Sequence, residues 1–201
     1  VTVEKVGIGE VIMGAGQSNS TNYGQFQTKQ KSGMVSCTDG ISWKYADDPM
    51  LGCHDGSTGG SYYPALGDKL YAEFHVPVGI ASTGHGGTSI NQWNVGGELY
   101  NWMMKRVMQL GKNGFRAVLW HQGEADCSNP EAYKQKLISL VKDLREDLDM
   151  PDLPVVVGQI SQWNWTKREA GTVPFNQMIK KVSSFIPYSD WVSSKGLGWY
   201  K

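Results

Sequence analysis

Five short apolar runs, each bounded by glycine, proline or a polar turn, constrain what this chain can fold into. They cover residues 10–15, 76–82, 115–120, 153–160 and 190–193. Short runs rich in Val and Ile suit strands covered on both faces. Longer stretches with helical spacing lie between them. The clearest is 130–148, where Asn129 is placed to cap and Pro130 takes the first helical position. Tyr133, Leu137, Leu140, Val141, Leu144 and Leu148 then recur at three- and four-residue steps and form one apolar stripe. The spacing also predicts helices over 63–74, 98–112 and 174–185, the last with Phe175, Met178, Ile179, Val182 and Phe185 on or near one face. Strands alternating with helices predict a parallel sheet in a three-layer α/β/α sandwich. At 201 residues the chain suits one domain with a sizeable core.

Residues 20–61 break the rhythm. They carry many Gly, Ser, Thr and Asp and little periodicity. A connection this long in a compact domain is often functional, and we read it as an insertion over the active edge with room for a short helix.

Composition excludes some partners. Nineteen basic and nineteen acidic residues give zero net charge with no basic stripe, which argues against nucleic acid. No apolar run approaches the roughly 20 residues that span a bilayer, so no membrane partner is expected. Residues 1–10 lack the basic start and apolar core of a leader. A leader already removed is compatible with this, and we expect a secreted or extracellular protein. Cys37, Cys53 and Cys127 have no Cys-x-x-Cys spacing, so no metal site is expected. Either Cys37 pairs with Cys53, leaving Cys127 over, or all three are reduced thiols. Eight Trp and nine Tyr among 25 Gly offer flat faces with a polar edge, the kind of surface on which sugar rings stack, although Trp is equally a core residue.

In an open parallel sheet, ligands bind beyond the carboxyl ends of the strands. Three marked segments fall at such ends. They are Gly16-Gln17-Ser18-Asn19 after the first run, Gly86-Gly87-Thr88-Ser89-Ile90 with Trp93 after the second, and Trp120-His121-Gln122-Gly123-Glu124 after the third. A serine esterase needs a nucleophile and donors for an oxyanion. Ser18 can supply the hydroxyl and its own backbone N–H. Gly86 or Gly87 can supply a second N–H, and Gln122 a side-chain amide. Each such donor typically contributes about 2.7–4 kcal/mol to the transition state.

These three blocks, with Asp126, resemble the SGNH hydrolase superfamily in residue type, order and spacing. The nearer likeness is to the carbohydrate-esterase branch that holds sialate O-acetylesterases and family-six acetyl xylan esterases. It runs over about residues 8–198. The resemblance implies a flavodoxin-like α/β/α sandwich and removal of O-acetyl groups from carbohydrates without a metal or other cofactor. It implies Ser18 as nucleophile, with Gly86 or Gly87 and Gln122 completing the oxyanion hole. It also implies a histidine in an Asp-x-x-His element after the last strand. The four histidines here are His54, His75, His85 and His121, none of them in the last 80 residues. Ser193–Lys201 resembles the stretch leading into that element, so we expect the histidine beyond Lys201.

Other residues keep two readings. His85, before the glycine pair, is either the best internal substitute for the base, a substrate contact or a plain loop residue. His54 sits in the long loop as a substrate contact, and His75 and His121 are read as structural. Glu124 is either the carboxylate that orients the catalytic histidine or a structural group. Asp126 is read as a cap or a partner for its neighbours. Trp93 and Asn91 are candidate substrate contacts, with core burial the other reading of Trp93. Trp163, Asn164 and Trp165 are placed to border the cleft. The alternative function is a catalytically degenerate glycan-binding module on the same fold. A fixed part of a larger assembly is a third reading. Nothing in the sequence speaks to oligomeric state.

Overall fold

Strand β1 (Glu10–Gly16) lies inside a seven-stranded sheet and is paired in parallel on both sides. In this computed structural model the described residues are 9–111, 113–161 and 169–196. The other strands are β2 (Val35–Thr38), β3 (Trp43–Tyr45), β4 (Val78–Ser82), β5 (Ala117–His121), β6 (Val155–Gly158) and β7 (Ser189–Val192). Their spatial order is β3-β2-β4-β1-β5-β6-β7, and every pair is parallel except β2 with β3. The strands read from sequence are β1, β4, β5, β6 and β7. Taken alone they have the flavodoxin-like order 2-1-3-4-5, with the switch point at the carboxyl end of β1.

Register sorts the side chains onto two faces. Met13, Ala15, Val118, Trp120, Val155 and Val157 pack with helices α2 (Glu98–Leu110), α3 (Pro130–Leu148) and α4 (Glu169–Ile179) in one core. Val35, Cys37, Val78 and Ile80 pack with Tyr63 of α1 (Tyr63–Phe74) in a second core on the opposite face. A right-handed crossover forces this split, because the chain moves one way across the sheet from β4 through β7 and the other way to reach β4. Helix α3 matches its sequence reading. Asn129 accepts from Ala132 N at 3.1 Å, and the six stripe residues are the buried ones.

The segment 20–61 differs from its reading as an insertion. It contributes β2 and β3, and Val35 and Cys37 are fully buried. Helix α2 stops at Leu110, and α4 begins at Glu169 and ends at Ile179 instead of spanning 174–185. Pro174 lies inside α4, where its missing N–H withdraws one helical bond early in the helix. Val182–Ser184 form a separate 3-10 turn. Cys37 and Cys53 are free thiols. Cys37 Sγ reaches Tyr45 O at 3.6 Å and Cys53 Sγ reaches Ser82 Oγ at 3.1 Å. Burial pushes the Cys53 thiol up to about 12, which suppresses its thiolate chemistry.

Candidate active site

The strand-to-turn transition after β1 sets up the candidate nucleophile. Gly16 has φ +130°, and a Cβ there would sit 2.1 Å from His121 O, so only glycine lets β1 pass β5 this closely. Gln17 N then donates to His121 O at 3.0 Å, and Ser18–Ser20 form a 3-10 turn closed by Ser20 N to Gln17 O and Thr21 N to Ser18 O. The turn is held from beneath. Ser20 is fully buried, and its carbonyl accepts from the hydroxyls of Tyr63 (3.0 Å) and Ser82 (3.3 Å). Ser18 itself is half-buried. Among the described residues neither its hydroxyl nor its N–H has a partner.

Gln17, buried beneath this turn, joins it to the third block. Its Oε1 accepts from Gln122 Nε2 (3.0 Å), Gly123 N (3.2 Å) and Ala125 N (3.3 Å). Gln122 is likewise buried, and its Nε2 faces Thr88 O at 3.0 Å and Asp126 Oδ2 at 2.6 Å as well. Three acceptors exhaust the two hydrogens of this amide, and they fix which atom is nitrogen. Both hydrogens of Gln122 are thus engaged within the protein, and the side chain braces three loops. Asp126 completes the brace, accepting from Ser89 Oγ (2.6 Å) and Ile90 N (2.9 Å). Those bonds hold the 3-10 turn Ile90–Trp93 against the third block. Tyr133 of α3 supports the block from the core, taking the Trp120 indole N–H and donating to Gln122 O, both at 2.9 Å.

The glycine turn after β4 runs beside β1, with Thr83 N on Gly14 O (2.8 Å) and His85 N on Gly16 O (3.0 Å). Its two glycines differ. Gly86 N donates to Asp55 Oδ2 at 2.7 Å and is occupied. Gly87 is exposed, has φ +73°, and its N–H has no partner among the described residues. Asp55 also accepts from Ser57 N at 3.0 Å. Burial raises its carboxyl, but the Ser57 hydroxyl and N–H, the Gly86 N–H and the His85 charge together hold it below the usual range. His85 Nδ1 meets His54 Nδ1 at 2.6 Å, and His54 Nε2 reaches Glu98 Oε1 at 3.2 Å.

The segments also match known proteins. Residues 9–200 match the family described as carbohydrate esterase, sialic acid-specific acetylesterase. The chain belongs to this family. A probable carbohydrate esterase of Arabidopsis thaliana is 31% identical over 136 residues, 62% of this chain and 52% of that protein. The chain thus spans about half the length of this curated relative. The X-ray structure of an Arabidopsis thaliana protein superposes with a TM-score of 0.80 at 22% identity, covering 96% of this chain and 88% of that one. A carbohydrate acetylesterase from Xanthomonas citri gives a TM-score of 0.70 at 16% identity, covering 92% of this chain and 49% of that one. The fold is the SGNH-type sandwich expected from the three blocks.

Two of the candidate substrate contacts are engaged within the protein. Trp93 is 1% exposed, donates to Thr88 Oγ1 at 3.2 Å and packs edge-on against Trp120 with centroids 5.2 Å apart. It is a core residue, since indole area this large is driven into the interior. Asn91 is exposed, but its side-chain and backbone nitrogens both turn back to Ser89 Oγ. Trp163, Asn164 and Trp165 lie outside the described residues.

Glu124 stands close to the nucleophile turn. Its Oε1 accepts from Asn19 Nδ2 at 2.6 Å, while its Oε2 is buried and has no partner among the described residues. Gln122 Oε1 and His121 Nε2 are in the same condition. Burial lowers His121, with the Glu124 charge and a bond to the Gln159 backbone opposing, so the ring is neutral at pH 7. Three polar atoms of this five-residue block thus have no partner among the described residues. Asp55 and the buried hub role of Gln17 escaped the sequence reading. The Asp-Gly pair in a Ser/Gly-rich loop was the available signal for the first.

Proposed function

We propose that this chain is a serine carbohydrate O-acetylesterase. One observation carries the reading: a half-buried Ser18 hydroxyl, without a partner among the described residues, stands on a turn that Gln17 locks to the Gln122–Ala125 block. The Ser18 oxygen attacks the acetyl carbonyl carbon, and the carbonyl π electrons move onto oxygen. Ser18 N–H and Gly87 N–H, which have no partner among the described residues, receive that oxyanion. Collapse expels the sugar oxygen, which leaves with a proton, and acetyl-Ser18 remains. Water then attacks it, releasing acetate and restoring the hydroxyl.

The proton carrier in this reading is the histidine of the Asp-x-x-His element that the family resemblance implies. Glu124, one of whose carboxylate oxygens has no partner among the described residues, is the carboxylate that orients it in this reading. The second reading is a glycan-binding module on the same fold. One experiment separates them. The chain extended through that element is expected to release acetate from acetylated sugars, and Ser18→Ala to lower kcat/KM at least about 10³-fold. Sugar binding without acetate release selects the binding module, and full activity in Ser18→Ala rejects the serine mechanism.

A further inference from the structure

We propose that Tyr23 is the sugar platform of this site, stacking its ring on the pyranose that carries the acetyl group. The proposal rests on the esterase reading for the ester, whereas the ring contact is argued from the rim of the site. Tyr23 is 59% exposed, yet its ring lies directly over the glycine turn. A Cβ on Gly86 would fall 2.6 Å from Tyr23 Cε2, 2.9 Å from Cζ and 3.0 Å from the hydroxyl oxygen. Any side chain at Gly86 would therefore displace the ring. The next residue, Gly87, carries the open N–H assigned to the oxyanion.

An exposed aromatic usually loses conformational freedom when it binds, and here much of that freedom is already gone. On one side, Asn22 is buried. It donates to Met50 O and Ser57 O, both at 3.0 Å, and accepts from Met50 N at 2.8 Å. On the other, Gly24 exchanges both backbone bonds with Gly60, at 2.7 and 2.8 Å. Gly86 then supports the ring itself. A held ring with a wet face binds at lower entropic cost than a free one. Its complement is a flat ligand with an apolar C–H face and polar edges, which is the chemistry of a pyranose. The phenol supplies a polar handle at the rim. Trp43 is nearly as exposed, but it packs over Gly79 near the amino end of β4, away from the carboxyl ends of the strands.

The test compares cyclic with acyclic esters. In a Ser18→Ala background, binding of a peracetylated methyl pyranoside is followed by titration. Tyr23→Ala and Tyr23→Leu are expected to weaken it about tenfold, or ~1.4 kcal/mol, and Tyr23→Phe by less than about twofold. Leu keeps bulk over Gly86 without a flat face, so it separates stacking from packing. With Ser18 intact, the ratio of kcat/KM on that pyranoside to kcat/KM on glycerol triacetate is expected to fall about tenfold in Tyr23→Ala. An unchanged Kd in Ala and Leu, or an unchanged ratio, overturns the proposal. Failure of the esterase reading shows separately, as absence of Ser18-dependent acetate release from either ester while the titration still reports on Tyr23.

Discussion

Replacing Gln17 with Met keeps the length and bulk of the side chain and deletes the acceptor on which two blocks converge. The three bonds lost are unequal. Gln122 Nε2 retains Thr88 O and Asp126 Oδ2, so both its hydrogens stay engaged. Ala125 is exposed and its N–H turns to water, which costs the net value of one hydrogen bond, about 0.5–1.5 kcal/mol. Gly123 is buried, and its stranded N–H costs about 1–3 kcal/mol. Together these destabilise the fold by about 1.5–4.5 kcal/mol, a large part of a domain's marginal stability. The assay is equilibrium unfolding in urea followed by tryptophan fluorescence, with midpoints compared at equal slope. A change under about 0.5 kcal/mol, the range of ordinary surface substitutions, would refute the view of Gln17 as a buried hub.

Two further outcomes follow from the same bookkeeping of partners. Tyr133→Phe strands the buried Trp120 indole N–H and the Gln122 carbonyl. It is expected to cost about 2–4 kcal/mol by urea unfolding, and a neutral result would deny that α3 supports the site. Asp55→Asn tests the pH dependence. A carboxyl held below its ordinary value stabilises fully above about pH 4 and loses that contribution as pH falls through the lower folded value. The stability gap between wild type and Asp55→Asn is therefore expected to be largest near neutrality and to shrink toward pH 2. A gap that widens on acidification would reverse the assigned sign.

The elements legible in the sequence were those whose side chains repeat. Helix α3 was readable because its six stripe residues meet the core at helical steps and Asn129–Pro130 announces its start. Strand β1 and its Gly16–Asn19 turn were readable because an apolar run ends abruptly in glycine. Strands β2 and β3 were not, because they are four and three residues long and all of β3 is exposed, so neither leaves an apolar run. The site was partly legible in the same sense. Segment order placed Ser18, the glycine turn and Gln122 at one sheet edge. Periodicity carries no information on which way an amide points, so the saturation of Gln122 and the occupation of Gly86 by Asp55 became visible only in three dimensions. The same holds for the His54–His85 contact, which joins loops 31 residues apart.

The short bond from Asn19 to Glu124 bears on how this protein is made. Asn19-Ser20-Thr21 is an acceptor sequon for oligosaccharyl transfer. In the finished molecule the acceptor nitrogen is tied to a carboxylate and Ser20 is sealed inside. That transfer acts on unfolded polypeptide entering the endoplasmic reticulum, before such a lock exists. A yeast or mammalian secretory host would thus attach a bulky glycan beside the Ser18 hydroxyl and prevent the turn from closing, whereas bacterial production leaves the lock free to form.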